Sequence, residues 1–389
     1  SINGIEILDD ERILSYSKDK SLRLWDCKDN ELKILKKYDW FRLQILADGK
    51  ILDYSDEKTL KLWDYEGNEV KTLEGHRGSI NGVEILANGK ILSYSKDKTL
   101  RLWDKNGNFL KELKGHRDLI NGVKILPDGK ILSYSDDASL RLWDKEGNFL
   151  KELEKYTYGK SNVEILNDGK ILTHSKCFSP YLCDNNRNFL KELNFSVNGV
   201  EILEDGRILS YSNDDTFRLW DSEGNLLKVI DVDNYFDSVK LLNNGKILIY
   251  SNGGTPKLLD NNGNFLKGLG GDIYGDGGVE ILNDGKILIY SEYSTPQLWD
   301  KDGNFLKKLS FLIKGVKILA DGRILSYSGD NTLRLWDKDG NFFKELKGHN
   351  NSINGVEILA NGRILSYSYI DKTIRIWNSQ GEIVKVLYN

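Results

Sequence analysis

Apolar residues fall in short runs of about five to seven along the whole chain, each bounded by turn residues. From Ile80 the text reads INGVEIL, Asn88-Gly89, KILSYS, TLRLWD, Asn106-Gly107 and NFLKEL. Runs this short predict strands and not helices. Four are expected per unit: A over 80–86, B over 90–95, C over 99–104 and D over 108–113. The A–B turn is Asn-Gly or Asp-Gly in nine units, for example Asp128-Gly129, Asp205-Gly206 and Asn361-Gly362. Glycine there supplies the positive φ of a tight hairpin. The first unit departs, with Asp9-Asp10-Glu11.

The unit recurs. Its Trp-Asp position appears at Trp25, Trp63, Trp103, Trp143, Cys183, Trp220, Leu259, Trp299, Trp336 and Trp377, spaced 37 to 41 residues apart. The ten repeats run approximately over 1–36, 37–75, 76–115, 116–155, 156–194, 195–231, 232–270, 271–310, 311–348 and 349–389. No linker interrupts them, so a single repeat domain over 1–389 is expected. Strands B and C are apolar on both faces, so each sheet must be covered on both sides by its neighbours. A twisted four-stranded sheet at this period predicts an all-β propeller.

These residues resemble the WD-repeat β-propeller family over the whole chain. The resemblance implies a buried network joining a His on the D–A loop, a Ser and an Asp around the B–C turn, and the strand C Trp. The matching residues are His76, Ser93, Asp97 and Trp103; His116, Ser133, Asp137 and Trp143; and His349, Ser366, Asp371 and Trp377, the last with one extra B–C residue (Tyr369 or Ile370). The repeats at Trp25, Trp220 and Trp336 lack the His, and those at Cys183 and Leu259 lack the Trp as well. A buried hydrogen bond nets about 1 kcal/mol, whereas six large apolar side chains per repeat contribute on the order of 10 kcal/mol before entropy, so packing outweighs the missing network. Propellers usually have about four to eight blades. Ten blades in one ring, closed by face-to-face packing without a shared strand, are nonetheless expected here, with a seven-plus-three arrangement or an open arc as alternatives. Ser1 and the absence of Met suggest a trimmed start, with upstream sequence or flanking domains possible.

Net charge is −4 with a pI near 5.8, which gives no broad attraction to nucleic acid or anionic lipid. No apolar stretch approaches the ~18 residues of a membrane span. Cys27, Cys177 and Cys183 do not make a disulfide framework, which favours a reducing compartment and a cytoplasmic location. The abundance of Lys, Asn, Ile and Tyr suggests a bacterial source.

Candidate chemistry is sparse. His174 replaces the strand B Tyr and lies near Cys177, Cys183 and Asp184, but a packed interior His is favoured over a metal ligand. Gly268, Gly270, Gly271, Gly275, Gly277 and Gly278 lack the helix and Lys of a phosphate cradle. Asp231, Asp233 and Asp237 lack the Gly and Glu of a Ca²⁺ loop. No nucleophile–base pair stands out, so no enzyme activity, metal or cofactor is expected. The strand A positions Glu6, Gln44, Glu84, Lys124, Glu164, Glu201, Lys240, Glu280, Lys317 and Glu357 suggest a channel-facing ring. Pairing with strand C arginines (Arg23, Arg101, Arg141, Arg218, Arg334, Arg375) is the favoured alternative.

The repeats depart from one another in their D–A and B–C loops, and the departures are aromatic. They include Tyr38, Trp40, Phe41, Tyr156, Tyr158, Phe195, Tyr235, Phe236, Tyr274 and Phe311, and in the B–C turns Phe178, Tyr293 and Tyr369. Aromatic groups on scaffolded loops suit an interface, although rings folded inward over the lost His and Trp would look the same. A non-catalytic scaffold for a protein or peptide is expected, centred on Trp40, Tyr156, Tyr158, Tyr235, Phe236, Tyr274 and Tyr293. The alternative is a small-molecule or glycan sensor at the channel mouth.

Overall fold

The computed structural model describes residues 2–388 apart from 9–11, 18–20, 26–30, 38–41, 55–56, 65, 154–161, 176–177, 185–187, 194–196, 213, 215, 232–237, 252, 272, 276 and 360. Among the described residues there is no helix. The strands form ten four-stranded antiparallel sheets, each in the order A-B-C-D, which is the architecture of propeller blades. In repeat three the strands are Ile80–Ile85, Ile91–Ser95, Leu100–Trp103 and Phe109–Leu113.

Two turns set this shape. At the A–B turn the Gly89 N–H donates to Leu86 O at 2.8 Å, with Gly89 at φ +78°. At the C–D turn the Asp of Trp-Asp is the organiser. One Asp104 carboxylate oxygen accepts the Asn106 and Asn108 N–H groups, both at 2.8 Å, and the other accepts the Asn108 amide at 2.7 Å. The same arrangement recurs at Asp64, Asp144, Asp221, Asp260, Asp300 and Asp337.

The chain divides into two compact bodies, one of residues 1–39 with 233–389 and the other of residues 40–232. In each body the apolar clusters lie between repeats. In residues 40–232, Leu52, Leu60, Leu62 and Leu73 of repeat two pack against Ile80, Val83, Ile91 and Trp103 of repeat three. The next pair of repeats does the same around Trp143. In the other body, Leu365, Ile374, Ile376 and Leu387 of repeat ten pack against Ile13 and Trp25 of repeat one. The first and last repeats therefore meet face to face with no strand exchanged. Polar links repeat the joint outside the core: the Lys191 ammonium donates to the Asn225 side chain at 2.7 Å, and Lys267 to Asn304 at 2.8 Å.

Candidate functional site

The Gly-His repeats build a hydrogen-bond relay. In repeat three the Trp103 indole donates to Ser93 Oγ at 3.0 Å, and Ser93 Oγ lies 2.9 Å from His76 Nε2. His76 Nδ1 lies 2.8 Å from the Asp97 carboxylate, which also accepts the Arg77 N–H and the Thr99 N–H and hydroxyl. Every group is satisfied if neutral His76 donates from Nδ1 and accepts the Ser93 hydroxyl at Nε2. Repeat four repeats this with Trp143, Ser133, His116 and Asp137, and repeat ten with Trp377, Ser366, His349 and Asp371. The glycine before the His has its own cause. A methyl on Gly75 (φ +144°) would lie 2.1 Å from the Arg101 guanidinium.

The electrostatics follow from burial and these bonds. Burial lowers the His116 and His349 imidazoles below their ordinary 6.5, against the pull of Asp137 and Asp371. Burial alone would raise the Asp137 carboxyl, but bonds from Ser139 and the Arg117 N–H, with His116 nearby, hold it at about 2. Both effects have one sign. The unfolded chain binds protons more readily than the folded one, so stability is present above pH 6.5 and falls as the pH drops below it. A second loss sets in below about 3.8 as Asp137 begins to protonate in the unfolded chain. Urea midpoints between pH 7 and pH 5 are expected to fall, and the H116N/H349N variant to show a shallower slope.

Where the His is missing, other residues serve the relay. Trp25, Trp220 and Trp336 still donate to Ser15, Ser210 and Ser326. The strand C arginine takes over the B–C aspartate: Arg218 bonds Asp214 at 2.6 Å, and Arg334 bonds Asp330. Phe311 covers this site in repeat nine, 4.1 Å from the Arg334 guanidinium and 5.9 Å from the Trp336 ring. In repeat eight Ile289 stands where Ser would be, and among the described residues the buried Trp299 indole N–H has no acceptor.

The strand A ring takes a different form from the favoured expectation. The arginines of strand C pair with glutamates of strand D or with B–C aspartates: Arg101 with Glu112, Arg141 with Glu152, Arg334 with Glu345, and Arg218 with Asp214. The strand A charges pair with one another across neighbouring repeats: Lys124 with Glu164 at 3.5 Å, Lys240 with Glu280 at 3.1 Å, and Lys317 with Glu357 at 2.9 Å. Guanidinium groups reach outward to strand D because strand C borders it directly, and the strand A edges of adjacent repeats are left facing each other. The Glu6 side chain lies outside the described residues.

His174 is buried opposite Asn162 on strand A, whereas Cys183 packs in the apolar cluster between repeats four and five. Among the described residues no group of three metal-ligating side chains gathers. Cys27, Cys177, Asp233 and Asp237 lie outside the described residues. In the glycine-rich segment a methyl on Gly277 would lie 2.8 Å from the Tyr290 carbonyl oxygen, whereas one on Gly268 would meet nothing within 4 Å.

Of the expected interface residues, Tyr274 and Tyr293 are described; Trp40, Tyr156, Tyr158, Tyr235 and Phe236 lie outside the described residues. Tyr274 is 46 % exposed and Tyr293 69 %. One hydroxyl holds both. Ser291 Oγ donates to Tyr274 O at 2.9 Å and accepts the Tyr274 and Tyr293 N–H groups at 3.1 and 3.2 Å. Gly275 leaves room for the Tyr293 ring, since a methyl there would lie 2.5 Å from it. Phe311 and Tyr369, by contrast, pack on Trp336 and Tyr367. The Ser291 hub was hard to see in the sequence, because this Ser occupies the repeat's ordinary position at the end of strand B.

The WD domain, G-beta repeat model matches residues 67–104, 107–144 and 340–378. Nothing among the curated proteins matches the chain. Among solved structures it is similar to the computationally designed Ika8 protein, at 18% identity over 86% of this chain and 95% of that one, with a TM-score of 0.46. It is also similar to the WD40 β-propeller domain of Doa1, at 22% identity over 64% of this chain and 90% of that one, with a TM-score of 0.40. The matched segments end at Asp104, Asp144 and Asn378, just past the strand C Trp of the three repeats whose relay is complete, so by sequence and by geometry the chain carries repeats of the WD40 family.

Proposed function

We propose that the chain is a non-catalytic scaffold that docks a protein or peptide on the D–A and B–C loops of the body formed by residues 1–39 and 233–389, around Tyr274 and Tyr293. WD40 repeats generally mediate protein–protein interaction and are typically non-catalytic, which supports the class of function. The observation that carries the site is the Ser291 hub, which ties together the backbones of two exposed tyrosines on adjacent loops. Tyrosine gives a large contact area at little entropic cost, having few rotatable bonds, and such residues dominate binding energy at interfaces. Leu312 and Ile370 add exposed apolar surface on loops of the same body. The Cys183 thiol, buried in the apolar cluster between repeats four and five, fits a reducing, cytoplasmic setting.

The test is capture of partners from the source cell by the full chain and by Y274A/Y293A. Loss of about 2 kcal/mol per central aromatic anchor predicts roughly thirtyfold weaker binding for each. A partner retained at full affinity by the double variant would place the interface elsewhere.

A further inference from the structure

Repeat eight has lost the basic residue of strand C. Repeats three, four, nine and ten carry Arg101, Arg141, Arg334 and Arg375 there; repeat eight carries Gln297, paired with Ile289. The Gln297 amide packs on the D–A loop, where a methyl on Gly271 would lie 3.1 Å from its Nε2. In the same repeat an aromatic ring and a carboxylate meet at a loop glycine. A methyl on Gly275 would lie 2.5 Å from Tyr293 Cε2 and 3.4 Å from Glu292 Oε2. Tyr274 adjoins Gly275 in the chain, and its ring borders the next loop, 3.8 Å from where a methyl on Gly253 would lie. Glu292 is half-buried, and among the described residues no cation pairs with it.

The surrounding loops are acidic by sequence. Residues 233–237, 251–256, 269–277, 291–296, 309–314 and 328–332 hold Asp233, Asp237, Asp272, Asp276, Glu292 and Asp330 against Lys314. Counting Lys257 and Arg334 of strand C as well still leaves a net charge of −3. A partner complementary to these loops brings positive charge. A tyrosine face attracts a cation, and a carboxylate beside it supplies the counter-ion. Arginine satisfies both at once, since its planar guanidinium stacks on a ring while its N–H edge donates to a carboxylate. We propose that the tyrosine platform selects its partner through an arginine side chain, seated on the Tyr293 ring beside Tyr274, with Glu292 as counter-ion. This rests on the platform reading above and adds the chemistry of the group it takes.

The probe is the capped tripeptide acetyl-Gly-Arg-Gly-amide, titrated against the full chain by saturation-transfer NMR. Its citrulline analogue is the neutral isostere. The arginine peptide is expected to bind at millimolar concentration and the citrulline peptide at least about tenfold more weakly, since the charge serves both contacts. The lysine peptide should bind about threefold more weakly than the arginine peptide, because an ammonium lacks the planar fork. E292Q and Y293L should each weaken the arginine peptide about tenfold. Y388A, which removes an exposed tyrosine of the last strand, should leave it unchanged, with thermal midpoints confirming folding in each variant. Equal affinity for the arginine and citrulline peptides, a lysine peptide bound as tightly as arginine, no binding at millimolar concentration, or unchanged affinity in E292Q or Y293L would each overturn the proposal. Partner capture separates the two readings. A partner lost by Y274A/Y293A but retained by E292Q would leave the platform and remove the arginine. Glu292-dependent peptide binding, with capture indifferent to Y274A/Y293A, would remove the platform and leave the arginine site.

Discussion

Replacing Trp103 by alanine is expected to lower the free energy of unfolding by about 3–5 kcal/mol, the range for truncating a buried aromatic. Trp103 is 2 % exposed and closes the cluster between repeats two and three. Its removal leaves a void that Leu52, Leu60 and Leu62 cannot fill, because their strands are held by hydrogen bonds on both sides. It also takes the indole donor from Ser93 Oγ. Urea denaturation of W103A, read by the fluorescence of the remaining tryptophans, measures the effect. A loss below about 1 kcal/mol would show that the joint between these repeats does not depend on the indole.

Asp97→Ala is expected to cost about 2–4 kcal/mol, since each buried donor left unpaired costs about 1–3 kcal/mol. One carboxylate holds His76, the Arg77 N–H and both donors of Thr99. Burial alone would raise this carboxyl; those bonds overcome it and hold it well below the ordinary carboxylate value. Asp214→Ala is the control. Asp214 occupies the same B–C position, but its side chain is 46% exposed and paired with Arg218, so about 1 kcal/mol or less is expected. Equal losses in the two variants would mean that the His relay adds nothing to the B–C turn.

Most of the blade was legible before any coordinates. Asn88-Gly89 and Asn106-Gly107 mark both hairpins because few other residues tolerate positive φ. The observed strands of repeat three fall within one residue of the expected runs. The His-Ser-Asp-Trp relay was legible as well, since two copies share one spacing and the third differs by a single inserted B–C residue. The partners of the strand A charges were not. The sequence offered basic groups on strands B and C as partners, and only the juxtaposition of neighbouring strand A edges brings Lys317 to Glu357. Nor could the loop aromatics be sorted. Phe311 and Tyr293 read alike as sequence, yet Phe311 lies against Arg334 and Trp336 and is 36 % exposed, while Tyr293, with Gly275 and Ser291 beside it, is 69 % exposed.

What the amino-acid sequence determined by itself was local: strand lengths, turn positions and the repeat period. These depend on backbone preferences and on hydrophobic alternation over a few residues. What only the tertiary structure decided was which surfaces meet. The seating of Trp25 of repeat one against Leu365 and Leu387 of repeat ten, and the placement of Glu292 and Tyr293 beside Gly275, both depend on contacts between residues that are not neighbours in the chain.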